Sequence, residues 1–250
     1  MRCIFCDKEN QAKSIEHIIS ESFGNKDYVI DRSVVCDECN SKFSRFEQKA
    51  LSNSIFVFER ARLGVKTKSG KNVRGKVENL EVEGEENFIK QIISIKGLQS
   101  SNIPNYNKGD NSVEIHVASF DKSEEASAKL VFKMGIEALY QSQSLIYNGL
   151  NLQDAKEYLM NKNIKDWPFV LSNFEPKKFK SIPTKTEKYN LGIRKIKLEY
   201  LSIDDKTFLI RFTFGEIKLI VNALNRNPDW IKNFKNNDSL TQIYPKHYRK

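Results

Sequence analysis

Four cysteines and one histidine carry the chemistry most legible in this chain. The cysteines fall as Cys3-x2-Cys6 and Cys36-x2-Cys39, and none follows residue 39 of 250. Two such pairs put four thiolates where a zinc ion can complete a tetrahedral shell, because each short loop folds both sulfurs toward one point. A secreted disulfide scaffold would spread its cysteines along the chain, and a thioredoxin-like site would have a single pair ahead of a helix. Four sulfurs leave no open coordination position, so the expected zinc is structural. His17 is the only one of three histidines between the pairs, and it follows Glu16. Taken alone it is a surface histidine, a spare ligand, or a base beside a carboxylate suited to a second, harder ion.

The order of residues around it is more specific. Glu16-His17-Ile18-Ile19 leads into Glu21-Ser22-Phe23-Gly24-Asn25, and the second pair closes as Val34-Val35-Cys36-Asp37-Glu38-Cys39-Asn40. This pattern resembles the HNH endonucleases of the His-Me finger (ββα-metal) class, and within them a zinc-stapled subgroup. Phe46-Glu47-Gln48-Lys49-Ala50-Leu51 extends the likeness, which is specific over residues 1–62 and faint beyond them. The resemblance implies a metal-dependent endonuclease hydrolysing phosphodiester bonds in nucleic acid, most of all double-stranded DNA. In it His17 matches the general base that takes a proton from water, a task its ordinary pKa near 6.5 suits. Glu16 and Asn40 match the ligands of a catalytic Mg²⁺ or Mn²⁺, hard ions that prefer oxygen. The family's middle asparagine is missing from Ile30-Asp31-Arg32-Ser33-Val34-Val35, so Asp31, Ser33 or a backbone carbonyl would have to orient the ring. The resemblance also implies a restriction, mobile-element or defence setting, among which no residue selects.

These groups need elements to aim them. Neighbouring residues on an extended segment point to opposite sides, so Glu16 and His17 share a pocket only across a bend or bulge. Asn40 falls in the first turn of a helix expected to run to about Leu51. Zinc would fix that turn against the loop carrying Glu16 and His17, since small structural sites gain about 10–16 kcal/mol from the ion.

Composition places the finger in a larger frame. The chain is 39% hydrophobic and 29% charged with a net charge of +9, enough for a packed core and against wholesale disorder. The basic excess lies in residues 171–250, with 17 basic against 8 acidic side chains. A second basic run, Phe56–Lys76, holds Arg60, Arg62, Lys66, Lys68, Lys71, Arg74 and Lys76 against Glu59 alone. It is a phosphate-tracking arm or a solvated connector; with Arg32 and Lys42, five of its members (Arg60, Arg62, Lys66, Lys68, Lys71) are the candidate phosphate contacts. No apolar run approaches the roughly 20 residues that cross a bilayer, and the start turns polar too early for a signal peptide, which points to a cytoplasmic protein with no membrane contact.

Beyond the finger, Asn87–Ile95 and Val113–Ala118 read as strands, with Gly97–Ser112 a loop. Ser123–Gln141 is the clearest helix, its Ala126, Leu130, Val131, Met134, Ala138 and Leu139 forming a core stripe. Leu152–Asn163 is a shorter helix. Arg194–Leu201, Thr207–Phe214 and Glu216–Val221 suggest a meander turning at Asp204-Asp205 and Gly215. Trp167 and Trp230 are packing residues, and Pro245–Lys250 a disordered basic tail. The fold class is therefore α+β: a zinc-stabilised, treble-clef-like ββα-metal finger (1–62), a basic connector (63–80), and a mainly antiparallel α+β region (81–250) for nucleic-acid docking, sensing or partner binding. The rivals to a nuclease that cuts unaided are a non-catalytic zinc finger for binding or assembly, and an effector switched on by a ligand or regulatory partner. Homodimerisation is the usual route to double-strand cleavage in such nucleases, although no coiled-coil seam argues for it.

Overall fold

The computed structural model describes residues 1–9, 12–85, 92–98, 106–107, 109, 112–113, 115–162, 164–172, 178–234 and 241–249. The first elements are β1 (Glu16–His17), β2 (Val29–Ile30), α1 (Asp37–Leu51) and α2 (Ser54–Arg62). Next come β3 (Arg74–Val77), β4 (Leu80–Gly84), β5 (Ile93–Lys96), β6 (Tyr106–Asn107) and β7 (Ser112–Val113). The helices α3 (Glu124–Ser142), α4 (Ser144–Gly149) and α5 (Gln153–Leu159) follow. The chain then forms β8 (Phe169–Leu171), β9 (Lys180–Ser181), α6 (Lys185–Ile193), β10 (Ile196–Asp204), β11 (Thr207–Phe214), β12 (Ile217–Asn222) and β13 (Gln242–Tyr244). Every described strand pair is antiparallel. The α+β class with an N-terminal ββα unit is as expected. No described helix is long and apolar enough to cross a membrane.

The main sheet has the order β13-β8-β12-β11-β10-β9. Its centre follows from the sequence: Thr207–Phe214 is buried almost throughout, the mark of a strand covered on both faces. Helix α3 lies against β11, close enough that a Cβ on Gly135 would sit 2.6 Å from Ile210 Cδ1. At Gly215 the backbone takes φ +56°, and a Cβ there would strike the Glu59 carboxylate, so the turn expected at this glycine needs one. Ser123 caps α3, its side chain accepting from the Ala126 N–H.

Helix α3 is buried around its whole circumference from Ala126 to Leu139, the expected stripe included. It packs on α1 along one side and on the sheet along the other, so a single hydrophobic cluster runs from Cys3, Phe5 and Phe43 through α3 to Phe212 and Leu219. The boundaries expected at 62–63 and 80–81 are not boundaries of this core. Phe23, in a one-turn 3-10 helix after β1, is the hinge pin: its ring centre lies 5.6 Å from Phe56, 5.1 Å from Phe212 and 4.7 Å from Phe214. Phe23→Ala should therefore cost about 3–5 kcal/mol of stability, read from the urea midpoint. A loss under about 1 kcal/mol, the size of an average substitution, would show that finger and sheet do not share a core.

Several expectations are corrected. Of the strand expected over Val113–Ala118, only Val113 is strand among the described residues, and 115–118 are irregular. Of Asn87–Ile95, only the end from Ile93 is strand among the described residues, and 87–91 lie outside them. The loop placed over Gly97–Ser112 contains β6 and the first residue of β7. The second helix ends at Leu159 rather than 163. The basic run is not an arm: its first third is α2, and Lys68–Gly70 turns a hairpin that leads into β3. Nor is the C-terminus free, since β13 pairs with β8 and Arg249 donates to the Ile243 carbonyl at 2.8 Å. Trp167 and Trp230 are core residues, as expected.

Candidate active site and metal centre

The two cysteine loops meet at the start of α1. All four Sγ atoms lie within 4.8 Å of one another, and Cys6 and Cys36 sulfurs are 3.6 Å apart. A tetrahedral ion with zinc–sulfur bonds of about 2.3 Å needs sulfur–sulfur edges near 3.8 Å, so the thiols fit such an ion. The backbone supports them: the Cys36 N–H donates to Cys3 Sγ and the Cys39 N–H to Cys36 Sγ, both at 3.4 Å. Cys36 is thereby the N-cap of α1. Four thiols this close cannot all ionise without a cation. The hydrogen bond from Cys39 pulls Cys3 down to about 4, while that same contact and burial push Cys39 up.

The β1–β2 hairpin lies beside this centre. Glu16 pairs with Ile30 and His17 with Val29, a ladder only two residues long. Between the strands the chain needs bracing, and Asn25 supplies it. Its buried side chain donates to the carbonyls of Ile19 (2.7 Å) and Tyr28 (3.3 Å) and accepts from the Tyr28 N–H. The loop-bracing asparagine thus precedes β2 instead of following it, where sequence reading sought it.

Glu16, His17 and Asn40 line one cleft of about 320 Å³, together with Glu21 and Glu47. Adjacency did not separate the first two. His17 Nε2 faces Glu21 Oε1 at 3.4 Å, and Nδ1 is buried without a hydrogen-bond partner. A carboxylate only accepts, so the nitrogen facing Glu21 carries the hydrogen and Nδ1 keeps its lone pair. Glu21, four residues beyond His17 and first in the 3-10 turn, is the partner of the ring; Asp31 and Ser33 are not. Its carboxyl is held below the usual range, first by the hydrogen bond from Lys68 and, more weakly, by His17. Asn40 donates through Nδ2 to Ser14 Oγ at 3.2 Å, and Ser14 in turn bonds Asp37. The amide oxygen of Asn40 is the atom left to offer.

Glu16 is not free. Its carboxylate is paired with the ammonium of Lys133 on α3, which also contacts Glu47 at 3.2 Å and Glu137 at 3.1 Å. Burial pushes the carboxyls of Glu16 and Glu137 up, further than Lys133 draws them down. Burial pulls on Lys133 in the opposite sense, but the three carboxylates more than offset it and keep the ammonium charged. Three acids share one cation, and Glu47 Oε1 is buried against it. Oxygen donors with surplus negative charge suit a hard divalent ion. Among the described residues, however, the cysteines are the only group of three or more His, Cys, Asp or Glu side chains already gathered closely enough to share one.

The candidate phosphate contacts divide. Arg60 is largely buried and donates its Nε–H to the Ser22 carbonyl at 2.8 Å, while Arg62 is paired with Glu59 through two bonds. Lys42 lies 2.8 Å from Glu38, and Arg32 is exposed in a turn. Lys68 meets Glu21 at the mouth of the cleft, and Lys66 and Lys71 extend away from it along the hairpin. A concavity of about 620 Å³ shares Glu21 and Lys68 with the cleft and adds Lys26, Lys66 and Arg194. Sequence reading missed Glu21, Asn25, Lys26, Glu47, Lys133 and Arg194. The Glu-Gln-x-Ala-Leu segment singled out Glu47 without a task, and no signal marked Lys133 among helical core residues.

Residues 3–56 match the model of a family described as HNH endonuclease. No curated protein and no solved structure matches the chain.

Proposed function

With its HNH endonuclease segment at residues 3–56 carried on an α+β body, we propose that this chain is a metal-dependent endonuclease that hydrolyses phosphodiester bonds, in DNA before RNA. One observation supports the reading above others: the cysteine-bound start of α1 and the β1–β2 hairpin bring Glu16, His17 and Asn40 to one cleft. His17 takes the proton of the attacking water, and Glu21 at the rim of the cleft fixes the tautomer of its ring. Glu16 and Asn40, with Glu47 beside them, hold Mg²⁺ or Mn²⁺ through oxygen. When bound, that ion neutralises phosphate charge and stabilises the departing oxygen. Cys3, Cys6, Cys36 and Cys39 hold zinc, which takes no part in the reaction. Lys68, Lys66, Lys26 and Arg194 line the path by which a phosphate backbone reaches the cleft. Arg60 and Arg62 serve the fold instead.

The test is a supercoiled plasmid incubated with the zinc-loaded full chain. Nicking is expected with added Mg²⁺ or Mn²⁺ and not in the zinc-loaded chain without them, and a structured RNA is expected to be cut more slowly. A chain that shifts the plasmid in a gel yet never nicks it with either ion is a binding finger, and the proposal is then wrong.

A further inference from the structure

We propose that Lys133, on α3 and outside the segment that matches the HNH family, is a positioning residue for the nuclease: it holds the Glu16–His17 edge in place for the chemistry. The inference rests on reading Glu16 and His17 as the reacting pair. Lys133 is completely buried, and its ammonium donates both to the Glu16 carboxylate and to the backbone carbonyl of His17, the latter at 2.6 Å. One group therefore fixes the rotation of the first side chain and the path of the strand under the second.

The hairpin needs such an outside reference. Its ladder is two residues long, and isolated two-stranded hairpins are marginal even at greater length. Helix α3 can supply the reference because it is itself clamped between α1 and the sheet, with Gly135 pressed on Ile210. Packing alone does not call for a lysine here. A buried ammonium among carboxylates costs desolvation that an apolar side chain of the same length would avoid, and Glu137, itself fully buried, shares that one ammonium with Glu16 and Glu47. What the lysine adds is a defined position for Glu16, with Glu47 drawn toward the same point.

Four variants of the zinc-loaded full chain test this: Lys133→Met, Lys133→Met with Glu137→Gln, Lys133→Arg, and Glu137→Gln as the reference. Zinc content and thermal melting report folding. Should Lys133→Met fail to fold, the paired variant, whose second buried side chain is uncharged, carries the same readouts. Both methionine variants should lose roughly 100-fold in kcat, the cost of a small misplacement of reacting groups, with KM for plasmid changed less than about threefold. Lys133→Arg, which keeps a cation with several donors, should recover at least about tenfold of that loss. Amide exchange at Glu16 and Ile18 should quicken by at least about tenfold in the methionine variants, while the amides of α3 stay protected. The proposal is overturned if the paired variant keeps kcat within about threefold of Glu137→Gln, or if exchange at residues 16–18 is unchanged. A parent chain that does not cut at all would sink the nuclease reading instead, and the exchange measurement would still decide whether Lys133 holds the edge.

Discussion

His17→Ala should slow plasmid nicking by about 10²–10⁴-fold, the usual worth of a general base. Zinc content, melting temperature and DNA affinity without added magnesium or manganese should stay near the parent values. The contrast between these readouts follows from where the ring lies. His17 is partly exposed at the edge of a short hairpin, and its recorded side-chain contact is to Glu21, also half-buried at the rim. Removing the imidazole empties the cleft but leaves untouched the buried residues that hold the hairpin: Ile18, Ile19, Phe23 and Asn25. A rim contact of this kind contributes at most about 1 kcal/mol to stability, so a melting change large enough to explain lost activity is not expected. The sulfur cluster is built from other residues altogether. A variant that nicks as fast as the parent would remove His17 from the mechanism, and with it the argument that Glu21 fixes a reactive tautomer.

The finger was legible because its chemistry is local. Cys-x2-Cys spacing, the Glu16-His17 pair and the asparagine after Cys39 lie within forty residues, and metal binding and turn geometry constrain each of them over short distances. Helix α3 was legible for the same reason, its stripe being a periodic feature. What escaped is what depends on long-range contact. Lys133 and Glu137 sit at helical spacing and would pass for a solvated i,i+4 pair, yet both are fully buried, because α3 is covered on all sides by α1 and a sheet formed some seventy residues later. Basic residues misled in the opposite sense. Arg60 looks like a phosphate contact in a run of cations, but α2 turns it inward onto the Ser22 carbonyl. Charge patterning says that cations are near one another along the chain, and only packing says which of them face water.

Stripping zinc with a strong chelator should abolish nicking and lower the melting temperature by at least about 10 °C, and readding zinc, but not magnesium alone, should restore both. The argument begins with the size of the segment that the ion organises. The described residues before β1 have no helix, and β1 and β2 share two residue pairs. Metal binding at about 10–16 kcal/mol is comparable to the whole stability of an average domain, so the apo segment cannot make up the difference from such pairing. The effect reaches beyond the finger because the core is shared. Phe5 stacks edge-on against Phe43 of α1, and Cys39 lies beside Met160 after α5, so a loosened finger uncovers the face of α1 that packs on α3. The six-stranded sheet should lose less, since its far face has its own cluster around Val170, Leu209, Ile220 and Trp230. Acid should act in the same direction as the chelator. Zinc needs thiolates, and without it Cys36 and Cys39 are pushed upward and hold their protons at neutral pH, so binding releases protons and weakens as pH falls. Apo protein that melts with the parent and still nicks on addition of magnesium would mean that the four sulfurs do not hold the cleft together.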